Sequence, residues 1–403
     1  MTTPRKHTSI WTVRVAGSVI ATLALSLAAC SSAPDNGADG SGTPRTTLVY
    51  ATGDAEPTCL DPHVGGNFPQ ALLATQVLES MVALDENGAI VPWLATEWQA
   101  SDDGLTWDFT LDPEAKFSDG TPVDAEAIKA NIEHLQDPET ASSTGYLAVQ
   151  QIDTIEVVSP TQVRFQLTRP DAALLESLAQ PWVAIQAPSG MERGKDENCL
   201  SPIGSGPFVV TDWVKQDRIE LERNTAYTTS PDGVDAPGEN AVQKITWRFI
   251  PDATARFAAL ESGEVDIIDN PLPDQIINAE NSETLAHLDA PRPGSSNRIE
   301  LNSGQAPFDD QRVREAFIAS TDVTAGIDAL FEGNATRSYS ALSSVEPLAV
   351  QSPEYYTYDV ERANKLLDEA GWNTRNDDGI RVKGDETLTV RFPVTGSQST
   401  QAE

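Results

Sequence analysis

The chain has little cysteine, methionine, histidine or positive charge. Its 403 residues include three cysteines, three methionines and four histidines. Against 61 acidic side chains stand 27 lysines and arginines, for a formal net charge of −34. So acidic a surface repels phosphate backbones and anionic lipid, so no nucleic-acid partner is expected. The sequence also lacks a G-x-S-x-G elbow and an H-E-x-x-H pair, two signatures of hydrolytic machinery. Beyond residue 30 no apolar run approaches the length of a membrane span. At 39% hydrophobic with eight tryptophans, the chain still has the material for two or three globular domains.

What is present begins at the N-terminus. Met1–Arg14 carries Arg5, Lys6 and Arg14 and no acid, and Val15–Ala29 is uncharged and apolar. A basic segment, a short apolar run and small residues predict an export signal over 1–29. Leu27-Ala28-Ala29-Cys30 resembles the lipobox of bacterial lipoproteins, which implies that Cys30 is lipidated and becomes the mature N-terminus. An ordinary secreted protein is the alternative. Residues 30–46 are mostly Ser, Gly, Asp, Pro, Ala and Thr, the composition of a flexible tether. The expected location is the extracytoplasmic face of the cell membrane, with the lipid as the membrane contact. Cys59 and Cys199 then remain, and two cysteines in an exported chain suggest one disulfide, with two free thiols as the alternative.

Patterning predicts strands at Thr47–Gly53, Leu105–Leu111, Ile155–Val158, Val163–Leu167, Ile219–Leu221, Ile245–Ile250, Ile299–Asn302 and Leu388–Val394. A helix is predicted over Pro69–Leu84. Asp124 should cap another through His134, with Ile128, Ile132 and Leu135 on its buried face. Asp252, Asp309 and Asp359 should start three more, and Gly263 and Gly371 should stop two of them. Strands and helices mixed in this way indicate an α/β fold with antiparallel elements.

Seven collinear blocks carry a family resemblance. They are "LDPH" at Leu60–His63; Leu78–Leu135, which ends "KFSDGTPVDAEAIKANIEHL"; "PIGSGPF" at Pro202–Phe208; and "RIELERN" at Arg218–Asn224. "FIPDATARFAALESGEVDI" at Phe249–Ile267, "LNSGQAPFDDQRVREAF" at Leu301–Phe317 and "YDVERANKLLDEAGW" at Tyr358–Trp372 complete the set. Together they resemble the extracellular solute-binding proteins of family 5, which feed peptides, dipeptides or nickel to ABC importers. The resemblance implies a two-lobed, type II periplasmic-binding-protein clamshell with mixed sheets and an extra subdomain in the first lobe. It places the first lobe at 47–292, with the subdomain at 81–189, and the crossover and second lobe at 293–403. Family members normally continue past "LTVRFPV", so the chain resembles a C-terminally truncated member. The expectation is that it does not bind ligand as a longer relative does.

The implied function is capture of a small solute, a peptide above all, and delivery to ABC permease subunits by a monomer that is not an enzyme. A secreted hydrolase, or a sensor or adhesin on the same fold, is the alternative. Positions matching the family's cleft make Gly65, Gly66, Asn67, Phe68, Tyr146 and Asn297 the candidate ligand contacts. The glycines would let backbone approach a ligand, though a flexible turn and a surface tyrosine fit the same residues. Gly204-Ser205-Gly206 reads as a turn rather than an anion cradle. Asp102-Asp103 and Asp309-Asp310 read as turns and caps, so no catalytic residue is assigned. No cofactor is implied, and three histidines scattered along the mature chain, at 63, 134 and 287, show no metal-ligand spacing.

Overall fold

The computed structural model describes residues 46–234, 241–291, 294–346 and 348–393. The export signal, Cys30 and the tether through residue 45 lie outside them. Among the described residues no helix is long and apolar enough to cross a membrane.

The described chain opens with β1 (Thr47–Thr52) and α1 (Phe68–Ala74). Strands β2 (Val82–Leu84), β3 (Ile90–Pro92), β4 (Ala95–Ala100) and β5 (Thr106–Leu111) follow. Next come α2 (Ala125–Gln136), α3 (Thr144–Val149), β6 (Ile152–Ser159) and β7 (Gln162–Leu167). Short helices α4 (Leu174–Leu178), α5 (Pro188–Met191) and α6 (Lys195–Leu200) lead to β8 (Phe208–Val214) and β9 (Arg218–Arg223). Then β10 (Lys244–Phe249), α7 (Ala253–Glu261), β11 (Ile267–Ile268) and α8 (Pro273–Glu280) follow. Beyond them lie α9 (Gln311–Ala319), α10 (Val323–Phe331) and α11 (Val360–Glu369). Three very short strands, β12 (Thr374–Arg375), β13 (Arg381–Lys383) and β14 (Glu386–Thr387), form a small sheet.

The main sheet has the order β11-β1-β10-β9-β8. β1 runs parallel to β10 and β11, while β10–β9 and β9–β8 are antiparallel. A second, antiparallel sheet has the order β4-β5-β7-β6. It follows from period-two patterning: Phe109 and Leu111 of β5 and Val163, Phe165 and Leu167 of β7 are buried, while Asp108 points out and pairs with Arg164. Against this face lies α2, capped by the Asp124 side chain accepting from the Ala127 amide, with Ile128, Ile132 and Leu135 buried. Each such side chain contributes roughly 1.5–3 kcal/mol by burial. A separate core of Phe308, Val313, Ala370 and Trp372 holds α9 to α11.

Four expectations need correction. The helix predicted through Leu84 stops at Ala74. The Gly206 amide takes the carbonyl of Val77 and the Phe208 amide that of Gln76, so tertiary pairing claims the acceptors a continued helix would use. A Cβ on Gly204 would sit 2.0 Å from the Val77 oxygen, so the turn read at 204–206 is a close backbone crossing. Asp310, not Asp309, caps α9, with its carboxylate accepting from the Arg312 amide. Residues 299–302 form no strand, and Ile299 is half exposed. Residues 388–393 likewise form none; Val390 and Phe392 are exposed and Val394 lies outside the described residues.

Candidate functional site

The loop between β1 and α1 is pinned at its base. Cys59 and Cys199 are disulfide-bonded, with Cα atoms 4.3 Å apart, and the Leu60 amide donates to the Cys199 carbonyl. Gln70 of α1 donates to the Asp61 and Val64 carbonyls. Gly65 and Gly66 have φ of +77° and +140°, backbone that L side chains rarely adopt. Gly65 bridges to Ser142, and the Ser143 hydroxyl donates to the Gly65 carbonyl. A Cβ on Gly66 would lie 2.6 Å from the Thr144 hydroxyl and 3.2 Å from Trp182. The close approach this glycine permits is therefore to the start of α3.

The loop thus seats Gly65 and Gly66 against the start of α3, which carries Tyr146, with Asn67 and Phe68 next along the chain. Asn67 caps α1, its side chain accepting from the Gln70 amide at 3.0 Å. Phe68 and Tyr146 are 40% and 43% exposed, so both present ring surface to solvent. Tyr146 stands in a helix rather than a surface loop. Asn297 is not brought to this group by any pairing among the described residues. Two residues before it, Ser295 bridges to Leu342.

Beneath the loop runs a buried polar network. Asp61 accepts from Gln186 and the His63 amide on one oxygen, at 2.8 and 2.9 Å, and from Asn198 on the other at 2.8 Å. His63 is fully buried. Its Nε2 lies 3.0 Å from the Ala184 carbonyl, so Nε2 carries the proton and donates. Its Nδ1 lies 2.9 Å from Nδ1 of His134 and 3.1 Å from the Gln186 amide nitrogen. Burial, seconded by the neighbouring ring, holds the His63 pKa well below the ordinary imidazole value, against the opposing pull of Asp61. A cavity of about 170 Å³ reaches Asp61 and His134, with Asp137, Glu139 and Lys195 among its other lining residues. Sequence reasoning read His134 as structural and found no ligand spacing. The two histidines are 71 positions apart, so only the fold could join them.

The parallel strands β1, β10 and β11 end at one edge of the main sheet, the usual place for ligands in α/β sheets. There Asp269 accepts from the Thr52 hydroxyl at 2.6 Å and the Gly53 amide at 2.8 Å. Arg256, 2% exposed, donates to the carbonyls of Ile250, Pro251, Asp269 and Asn270. Sequence reading missed both residues, although Arg256 lies in one of the seven blocks. The acidic pairs behave as turns and caps: Asp103 accepts from Ser101 and the Leu105 amide, and Arg312 holds Asp310 at a pKa of about 2.

Residues 89–403 match the profile of the bacterial extracellular solute-binding proteins, family 5 Middle. The chain belongs to that family. A nickel-binding periplasmic protein of Escherichia coli (strain K12) is 29% identical over 347 residues, 84% of this chain and 64% of its own length. The glutathione-binding protein GsiB of Escherichia coli O1:K1 / APEC is 30% identical over 318 residues, 78% and 60%. Thus this family-5 chain spans under two thirds of either relative's length. NikA from Brucella suis, solved with Fe(III)-EDTA, superposes with a TM-score of 0.71 at 28% identity, over 85% of this chain and 68% of that one. Haemophilus influenzae OppA, solved with the peptide RPPGFSPFR, gives 0.67 at 25%, over 82% and 67%. The fold of this family-5 chain is accordingly that of the type II periplasmic binding proteins.

Proposed function

We propose that this chain is the substrate-binding component of an ABC importer, taking up a small solute outside the membrane, a short peptide above all. The family match through residues 89–403, on a fold shared with peptide- and chelate-bound structures, supports the reading most directly. On this reading the first lobe is 47–292, with its subdomain at 81–189, and a second lobe follows the crossover near 293. A solute that touches both lobes only when they close shifts the open–closed equilibrium by its differential affinity, and the closed form docks on the permease. Phe68 and Tyr146 supply apolar and aromatic surface on the first lobe, on a backbone that Gly65 and Gly66 seat against α3. Asn297 is the corresponding polar contact from the crossover. Cys30, lipidated after export, would tether a monomer to the membrane beside its permease. The role is binding, with no chemistry on the solute.

Native mass spectrometry of the chain, offered a mixture of di- to pentapeptides, tests this. The expected result is a one-to-one complex of peptide mass, held less tightly than a longer relative holds its ligand, that Phe68→Ala and Tyr146→Ala each weaken. A chain that holds no peptide at any concentration tried, with a narrow folded charge envelope, would refute it.

A further inference from the structure

Asp61, His63 and His134 each offer one ligand-type atom, and these atoms all lie within 4.8 Å of one another. The two imidazole nitrogens are 2.9 Å apart. That is about the separation of two cis ligands at ~2.05 Å from one ion. The surrounding groups are those that support metal ligands. The far nitrogen of His63 donates to the Ala184 carbonyl, so its near nitrogen carries a lone pair, which in the metal-free protein faces the His134 proton and the Gln186 amide. Asp61 is oriented by Gln186 and Asn198, and Gln186 is itself fixed by Asn131, whose side chain donates to the Gln186 carbonyl and accepts from its amide. The cavity at Asp61 and His134 gives an ion a way in and room for water ligands. Its acidic residues, Asp61, Asp137 and Glu139, outnumber its one lysine, Lys195.

We propose that Asp61, His63 and His134 form a site for a divalent transition metal of the nickel–zinc kind, bound through both Nδ1 atoms and one carboxylate oxygen. Two imidazoles and a carboxylate suit these ions, and cavity water completes the shell. In the metal-free protein one proton lies between the two Nδ1 atoms; it leaves to solvent as the ion enters, and nothing is oxidised or reduced. The bound ion would clamp the 59–64 loop to α2, on the inner side of the loop whose next residues, Gly65 and Gly66, meet the start of α3. The site is assembled within the described residues and stands independently of the solute-binding role.

The test uses the full chain, stripped by chelator and titrated with Co²⁺, whose visible absorption reports its ligands. One equivalent should bind, Zn²⁺ should displace it, and His134→Ala should weaken binding by about a hundredfold or more. X-ray absorption on the Zn²⁺-loaded wild-type chain needs no variant and should show two imidazoles on the metal. Absence of stoichiometric Co²⁺ uptake, equal uptake by folded His134→Ala, or fewer than two imidazoles around Zn²⁺ would each overturn the proposal.

Discussion

Among the described residues, Glu79 is a buried carboxylate whose protonation should tilt stability across the neutral range. Its side chain is fully enclosed, with one oxygen taking the Trp93 indole N–H at 2.8 Å and both within reach of the Thr229 hydroxyl. Burial raises its pKa from 4.5 to about 7, more than these donors lower it. The folded state therefore holds a proton that the unfolded chain has already shed. Its stabilising share is complete below about pH 4.5 and is lost as pH rises towards 7. At about 1.4 kcal/mol per pKa unit, the loss is on the order of 3 kcal/mol. Glu79→Gln keeps the acceptor for Trp93 and cannot ionise. Urea unfolding of both proteins from about pH 5 to about pH 8 isolates the effect, since every other titrating group is common to the pair. The variant should gain on the wild type by about 3 kcal/mol across that range. A gap that stays flat with pH refutes the argument, whatever its size.

Three other outcomes are expected. Cys199→Ser opens a loop of 140 residues; chain entropy sets an upper loss of about 5 kcal/mol, read from unfolding midpoints with and without reductant. Gly204→Ala drives a Cβ into the Val77 carbonyl and should lower stability by about 3 kcal/mol or abolish folding; a melting point unchanged from wild type would contradict the close crossing. Asn67→Ala removes the α1 cap and should cost about 1 kcal/mol in the same assay. If instead Asn67→Ala impaired peptide capture without changing stability, its capping role would be secondary.

Local signals were the legible part of the fold. Asp124, Asp252 and Asp359 start their helices as expected, because a short carboxylate meets a free amide three residues on. Gly263 and Gly371 end theirs in the left-handed region. Alternation in β5 and β7 needed only the neighbouring strand. What failed depended on partners distant in sequence. The end of α1 is decided by Gly206 and Phe208, over a hundred residues on; 299–302 has strand composition but no paired neighbour among the described residues. The candidate site divides the same way. Asn67, expected at a ligand, also caps α1, a role its spacing to Gln70 could have suggested. Arg256, Asp269 and the pairing of His63 with His134 had no local signature, because each exists only where separate segments meet.

The Cys59–Cys199 bond encloses the whole antiparallel sheet and its helices within one covalent ring of the chain. A protease that cuts an exposed turn inside that ring, such as Ser101–Gly104 between β4 and β5, releases no fragment. The nicked protein keeps its mass until the disulfide is reduced, and its two pieces stay close enough to re-form their strand pairs. Wherever proteases are present and thiol reductants scarce, that makes a single cut in this region a survivable injury.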